Sequence, residues 1–134
     1  MIRRVCIVGL GHVGLPTAAL LARAGVEVTG CDTAPEVIAA VNAGRVADTE
    51  PGLAVLVRDG VASGALRAQP TPCDADAFVI AVPTPVDRAG RPDLAAVEAA
   101  CDAIAPHLRA GDLIVLESTC PVGTTEGLAT RLAT

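Results

Sequence analysis

The stretch VCIVGLGHVGLPTAALLA, residues 5–22, decides the reading of this chain. It opens as an apolar run suited to a strand, passes through Gly9, Gly11 and Gly14 in GxGxxG spacing, and continues as an Ala/Leu segment of helical character. The spacing has a physical basis. Gly9 allows a tight turn, Gly11 lets the backbone come close to a pyrophosphate, and Gly14 lets the helix pack against the strand. An anionic group placed there meets the free N–H groups and the positive end of the helix macrodipole. Close packing alone also demands small residues, so it is the strand before and the helix after that point to dinucleotide binding.

Working outward, β-branched runs alternate with Ala/Leu-rich segments. The patterns predict strands near 3–8, 26–31, 66–68, 77–82 and 113–117, and helices near 12–24, 34–43, 51–60 and 93–108. A last helix is expected to begin near Gly123 and to run off the end of the chain. Strict alternation, with strands apolar on both faces, implies an α/β fold: a doubly wound parallel sheet covered on each side. The 134 residues suffice for one domain, 1–134. Hydrophobic residues make up 51 % of them and aromatics 1 %, so the core has to be built from Ala, Val, Leu and Ile.

The net charge of −5, with no basic cluster longer than Arg3–Arg4, disfavours nucleic acid as a partner. The glycines and Pro16 interrupt the N-terminal apolar run, which also lacks a cleavage site, so neither a targeting signal nor a membrane span is expected. Five cysteines, odd in number and without CxxC or Cys/His spacing, suggest reduced thiols, a cytoplasmic location and no metal.

Asp32 ends the segment VTGCD, about twenty residues beyond the glycines, where a carboxylate grips the adenosine ribose hydroxyls. A carboxylate there repels a 2′-phosphate and so favours NAD over NADP. Asp32 equally suits an N-cap for the following TAPEVIAAV, and the two roles are compatible. The one long polar loop, PTPVDRAGRP at 83–92, follows the C-terminal end of a strand, the edge where open α/β sheets hold ligands.

Three ordered motifs, VGLGHVGLPTA, AVPTP and LESTCPVGTTE, together resemble the N-terminal, Rossmann-type NAD-binding domain of the nucleotide-sugar 6-dehydrogenases, the UDP-glucose/GDP-mannose dehydrogenase family. The wording of the second and third is most similar to the UDP-N-acetylmannosamine branch. The resemblance implies that His12, Val13, Thr84 and Thr119 join Asp32 in contacting NAD, with His12 acting through its backbone. It implies oxidation of the primary alcohol of a UDP-sugar to a carboxylate with two NAD, in a homo-oligomer when full length. In that family a downstream, glycine-flanked cysteine traps the aldehyde, together with a Lys and an Asn that this chain also lacks.

Cys120, inside ESTCPVG, has no neighbour in sequence to lower its pKa, and no catalytic residue is expected in this chain beyond an auxiliary role for Thr119. Cys6, Cys31 and Cys101 suit core positions, where a thiol acts as a small apolar group. His107 is expected to be solvated near a helix end, and Glu117 to orient the EST turn or to cap. The sugar-binding half is expected to be absent and the chain cut within its last helix. Two other readings remain: a different dehydrogenase of the same fold, of 3-hydroxyacyl or 6-phosphogluconate type, or a non-catalytic NAD-binding fragment.

Overall fold

The computed structural model describes residues 1–46 and 50–133. Five parallel strands, β1 (Arg4–Val8), β2 (Glu27–Cys31), β3 (Leu66–Gln69), β4 (Ala77–Ile80) and β5 (Leu113–Leu116), form one sheet in the order β3-β2-β1-β4-β5. The five α-helices are α1 (Gly14–Arg23), α2 (Pro35–Asn42), α3 (Leu53–Ala62), α4 (Ala95–Ile104) and α5 (Thr124–Leu132). The chain builds outward from β1 through β2 to β3, then returns to place β4 on the other side of β1. Strand order therefore reverses between β1 and β4, which opens a crevice at the strands' C-terminal ends.

Side-chain alternation divides the sheet into two cores. Val5 and Ile7 of β1 and Ala77 and Val79 of β4 face α1, α2 and α3, which contribute Leu15, Ala18, Ala19, Ala22, Val41, Leu53 and Val57. Cys6 of β1 and Phe78 and Ile80 of β4 face α4 and α5, through Val97, Ala100, Cys101, Ile104 and Leu128. Both faces of the central strands are buried, so their sequences read as continuous apolar runs. Phe78, the chain's single aromatic residue, is fully buried at the centre of the second core.

Polar side chains tie the elements together. Asp76, just before β4, accepts the backbone N–H of Arg3 at 2.9 Å and of Arg4 at 2.8 Å, which aligns β4 with β1. Asn42, at the end of α2, donates to the Ala68 carbonyl and accepts from the Ala68 N–H, both at 2.8 Å. It thus occupies the outer edge of β3 as a missing strand would. Arg131 of α5 grips Asp102 of α4 through two nitrogens, at 2.6 and 2.7 Å.

The expected elements are all present, with ends that match or are shifted by at most four residues. The expected 93–108 helix is α4 followed by a 3₁₀ turn over Ala105–His107, where Pro106 breaks the pattern. The last helix is described through Leu132, with Ala133 as its C-cap; its expected continuation to residue 134 lies outside the described residues. His107 is half-buried rather than solvated, because its Nδ1 meets Asp74 Oδ1 at 2.8 Å. No helix among the described residues is long and apolar enough to cross a membrane.

Two measurements test this packing. Phe78→Ala is expected to destabilise the chain by about 3–5 kcal/mol in urea unfolding; a loss below about 1 kcal/mol would contradict its central place. The amides of Arg3 and then Arg4 hold the Asp76 carboxyl below the usual carboxylate range. Such a group stabilises the fold above its unfolded pKa, about 3.9, and the contribution is lost as pH falls through the folded value. Asp76→Asn should therefore lower stability at pH 7 and flatten the decline below about pH 4. A stability deficit of the same size at pH 7 and pH 3 would contradict this.

Candidate dinucleotide-binding site

The β1–α1 turn is built by steric necessity. Gly9 has φ +101°, and a Cβ there would run into the Ala81 carbonyl. A Cβ on Gly14 would overlap the Gly9 carbonyl oxygen and lie 3.3 Å from Ala81 Cβ. Gly14 is thus small because of the preceding turn more than because of the strand. Gly11 differs, since a Cβ there would meet nothing within 4 Å. Protein packing does not require that glycine; its Cα faces open cleft.

The cleft has a volume of about 600 Å³ and lies at the strand ends around the switch point. Gly9, Gly11, His12 and Val13 form its floor, Asp32 and Thr33 one end, and Thr84, Glu117, Ser118 and Thr119 the other. Ala96, Ala99, Ala100 and Ala103 of α4 make an apolar wall. The size falls in the usual range for small-molecule and cofactor sites, roughly 300–1,000 Å³. Of the eight residues expected to touch NAD, seven line this cleft; Gly14 is buried beneath it.

Asp32 is anchored by two backbone donors: Leu10 N–H to Oδ2 and Ala34 N–H to Oδ1, each 3.0 Å. Ala34, not Asp32, is the N-cap of α2, so the capping alternative gives way to a loop-bracing one. Each Asp32 oxygen keeps a further lone pair for a hydroxyl. Among the described residues, the N–H groups of residues 11–14 donate to no protein acceptor, leaving four donors at the start of α1.

At the opposite end, Thr84 Oγ1 and Thr119 Oγ1 are 3.0 Å apart, joining the loops that follow β4 and β5. Ser118 donates to the Val82 carbonyl at 2.8 Å and so sets the EST turn. Glu117 neither caps a helix nor orients that turn. Its carboxylate meets Thr17 Oγ1 of α1 at 3.0 and 3.3 Å, a contact between residues a hundred positions apart that no local pattern signals. Of the long polar loop, only Pro83 and Thr84 reach the cleft. The remainder folds on itself, with Asp87 accepting the N–H groups of Ala89 and Arg91.

Three of the five thiols, those of Cys6, Cys31 and Cys101, are buried. Cys6 and Cys31 are buried with their sulfurs 3.6 Å apart, and Cys31 Sγ donates to the Thr71 carbonyl at 3.2 Å. The Cys6 thiol beside it and burial both push the Cys31 thiol up, so it stays protonated. Cys120 is exposed and lies outside the cleft lining. No group of His, Cys, Asp or Glu among the described residues could hold a metal ion.

A parallel sheet with a glycine turn, free amides and a carboxylate at its switch point defines the dinucleotide-binding class of α/β domain. The chain belongs to the UDP-glucose/GDP-mannose dehydrogenase family, whose NAD binding domain matches residues 3–134. It is 51 % identical over 131 residues to an NDP-N-acetyl-D-galactosaminuronic acid dehydrogenase of Ralstonia nicotianae, covering 98 % of this chain and 31 % of that protein. It is 46 % identical over 129 residues to the UDP-N-acetyl-D-mannosamine dehydrogenase of Escherichia coli K12, covering 96 % of this chain and 31 % of that one. The UDP-N-acetyl-mannosamine dehydrogenase of S. aureus superposes with a TM-score of 0.91 at 35 % identity, over 96 % of this chain and 31 % of that one. The chain thus spans about a third of the length of these relatives.

The two glycines separate packing from ligand space. Gly14→Ala is expected to cost about 1–3 kcal/mol in urea unfolding, through overpacking against the turn. Gly11→Ala should stay within about 0.5 kcal/mol of the parent. Similar losses at both positions would contradict the open space at Gly11.

Proposed function

We propose that this chain is the cofactor-binding part of an NAD-dependent dehydrogenase acting on a UDP-linked sugar. The observation that carries the reading is the cleft itself: four unused amides at the start of α1, an open Gly11 and a braced Asp32, arranged along one crevice. The pyrophosphate is received by the amides of residues 11–14, with Gly9 and Gly14 holding the turn and His12 and Val13 contributing backbone. Asp32 accepts the adenosine ribose hydroxyls. Thr84 and Thr119 serve the nicotinamide half as neutral hydrogen-bonding groups, with Thr119 the candidate for an auxiliary catalytic role. NAD itself supplies the hydride acceptor, and two equivalents are needed to take a primary alcohol to a carboxylate.

The substrate we assign is UDP-N-acetylmannosamine. Relatives of comparable identity are named for N-acetylated sugars of two kinds, which supports the N-acetylated class most directly. Cys31, the one cysteine of the cleft lining, is buried and donates its proton to the Thr71 carbonyl, and Cys120 lies outside the lining, so we assign the covalent step to residues outside this chain. Free thiols at all five cysteines suit a reducing, cytoplasmic setting. A homo-oligomer is the expected state of the complete enzyme.

Calorimetric titration of the chain should show saturable NAD binding and NADP binding weaker by at least about tenfold, because Asp32 repels a 2′-phosphate. Asp32→Asn should weaken NAD by about ten- to a hundredfold and narrow the gap to NADP. Equal affinity for NAD and NADP in the parent chain would count against the role given to Asp32.

A further inference from the structure

We infer that Glu117 makes the cleft favour oxidised over reduced cofactor, through its charge. The inference rests on the NAD reading above. Glu117 follows β5 and lines the cleft beside Thr119. Thr17 Oγ1 lies 3.0 and 3.3 Å from its two oxygens, and 2.9 Å from the Val13 carbonyl. A hydroxyl carries one proton, so this contact fixes the carboxylate without neutralising it. None of the ion pairs formed by the described residues includes Glu117, and no arginine or lysine lines the cleft.

The position along the sheet makes this charge selective. Asp32 stands at the end of β2 and Glu117 at the end of β5, three strand spacings apart, or roughly 14 Å at about 4.8 Å each. Asp32 has both oxygens engaged by backbone amides, and the free amides of residues 11–14 lie between the two acids. Oxidised NAD carries its negative charge on the central phosphates and a single positive centre on the pyridinium ring. With the adenosine ribose at Asp32 and the phosphates at the amides, the ring is directed to the β4–β5 end, where the unneutralised acid stands. Reduction delivers a hydride to that ring and removes its positive charge. The carboxylate then loses its attraction for the ring while every other contact is retained. In an oxidation that consumes two NAD, such a bias promotes replacement of the reduced form by a fresh oxidised one.

The contact with Thr17 also clasps α1 to β5, and a purely structural role would weaken both cofactor forms alike. The test is therefore the ratio of dissociation constants, NADH over NAD, measured by calorimetric titration of the chain and of two variants. Glu117→Gln should weaken NAD by about three- to tenfold and NADH by less than about twofold, lowering the ratio accordingly. Glu117→Asp keeps the charge while giving up the Thr17 contact, and its ratio should stay within about twofold of the parent. Partial unfolding would reduce both affinities together and leave the ratio intact. An unchanged ratio in Glu117→Gln, or an equal fall in both variants, overturns the inference. A parent chain that binds neither form sinks the cofactor reading itself, and this inference with it.

Discussion

At Gly9 the chain leaves β1 with φ +101°, its N–H bonded to the Cys31 carbonyl at 2.8 Å and its Cα pressed against the Ala81 backbone. The turn is wedged between the ends of β2 and β4, the two neighbours of β1. Any side chain would separate them. Because none is present, α1 starts immediately beneath the reversal of strand order, and its first amides point into the crevice instead of being lost under the sheet. Leu10 then donates to Asp32, so the same turn fixes the acid at the end of β2. The floor of the cleft and its Asp32 end both follow from one missing methyl group.

Small side chains elsewhere serve the same geometry. A core with a single aromatic residue brings α1 close to the sheet through Ala18, Ala19 and Ala22, all on its buried face. On the other side, Ala100 of α4 packs into the second core and also lines the cleft beside Ala96, Ala99 and Ala103 of the same helix. Helical spacing of three and four residues places these alanines on adjoining faces. The helix is thereby both core and apolar wall. Leu113 and Val115 of β5 remain substantially exposed, at 48 % and 39 %, because no described helix covers that end of the first face.

The cleft lining contains no arginine or lysine. The amides of residues 11–14 and the dipole of α1 are present at its floor, and these cost no side-chain ordering. Two carboxylates, Asp32 and Glu117, stand towards opposite ends of the lining. The β4–β5 end is organised by neutral hydroxyls: Ser118 on the Val82 carbonyl, and Thr84 against Thr119. These contacts lock two loops together without a charged group.

Much of this was legible from local sequence. The glycine spacing, the alternation of strand and helix patterns and the acid after β2 each report a local constraint, since a turn, a helix face or a strand end is set by residues near one another in the chain. Local pattern therefore determined the elements, the parallel sheet and seven residues of the cleft lining. It could not determine partnerships across the chain. That Glu117 reaches Thr17, that His107 meets Asp74, that Asn42 completes the edge of β3, and that Gly14 yields to Gly9 rather than to a strand were decided only by the tertiary structure. The physical reason is distance along the chain. Hydrogen bonds and steric contacts between remote residues depend on how strands are ordered and helices stacked, and periodicity carries no record of that order.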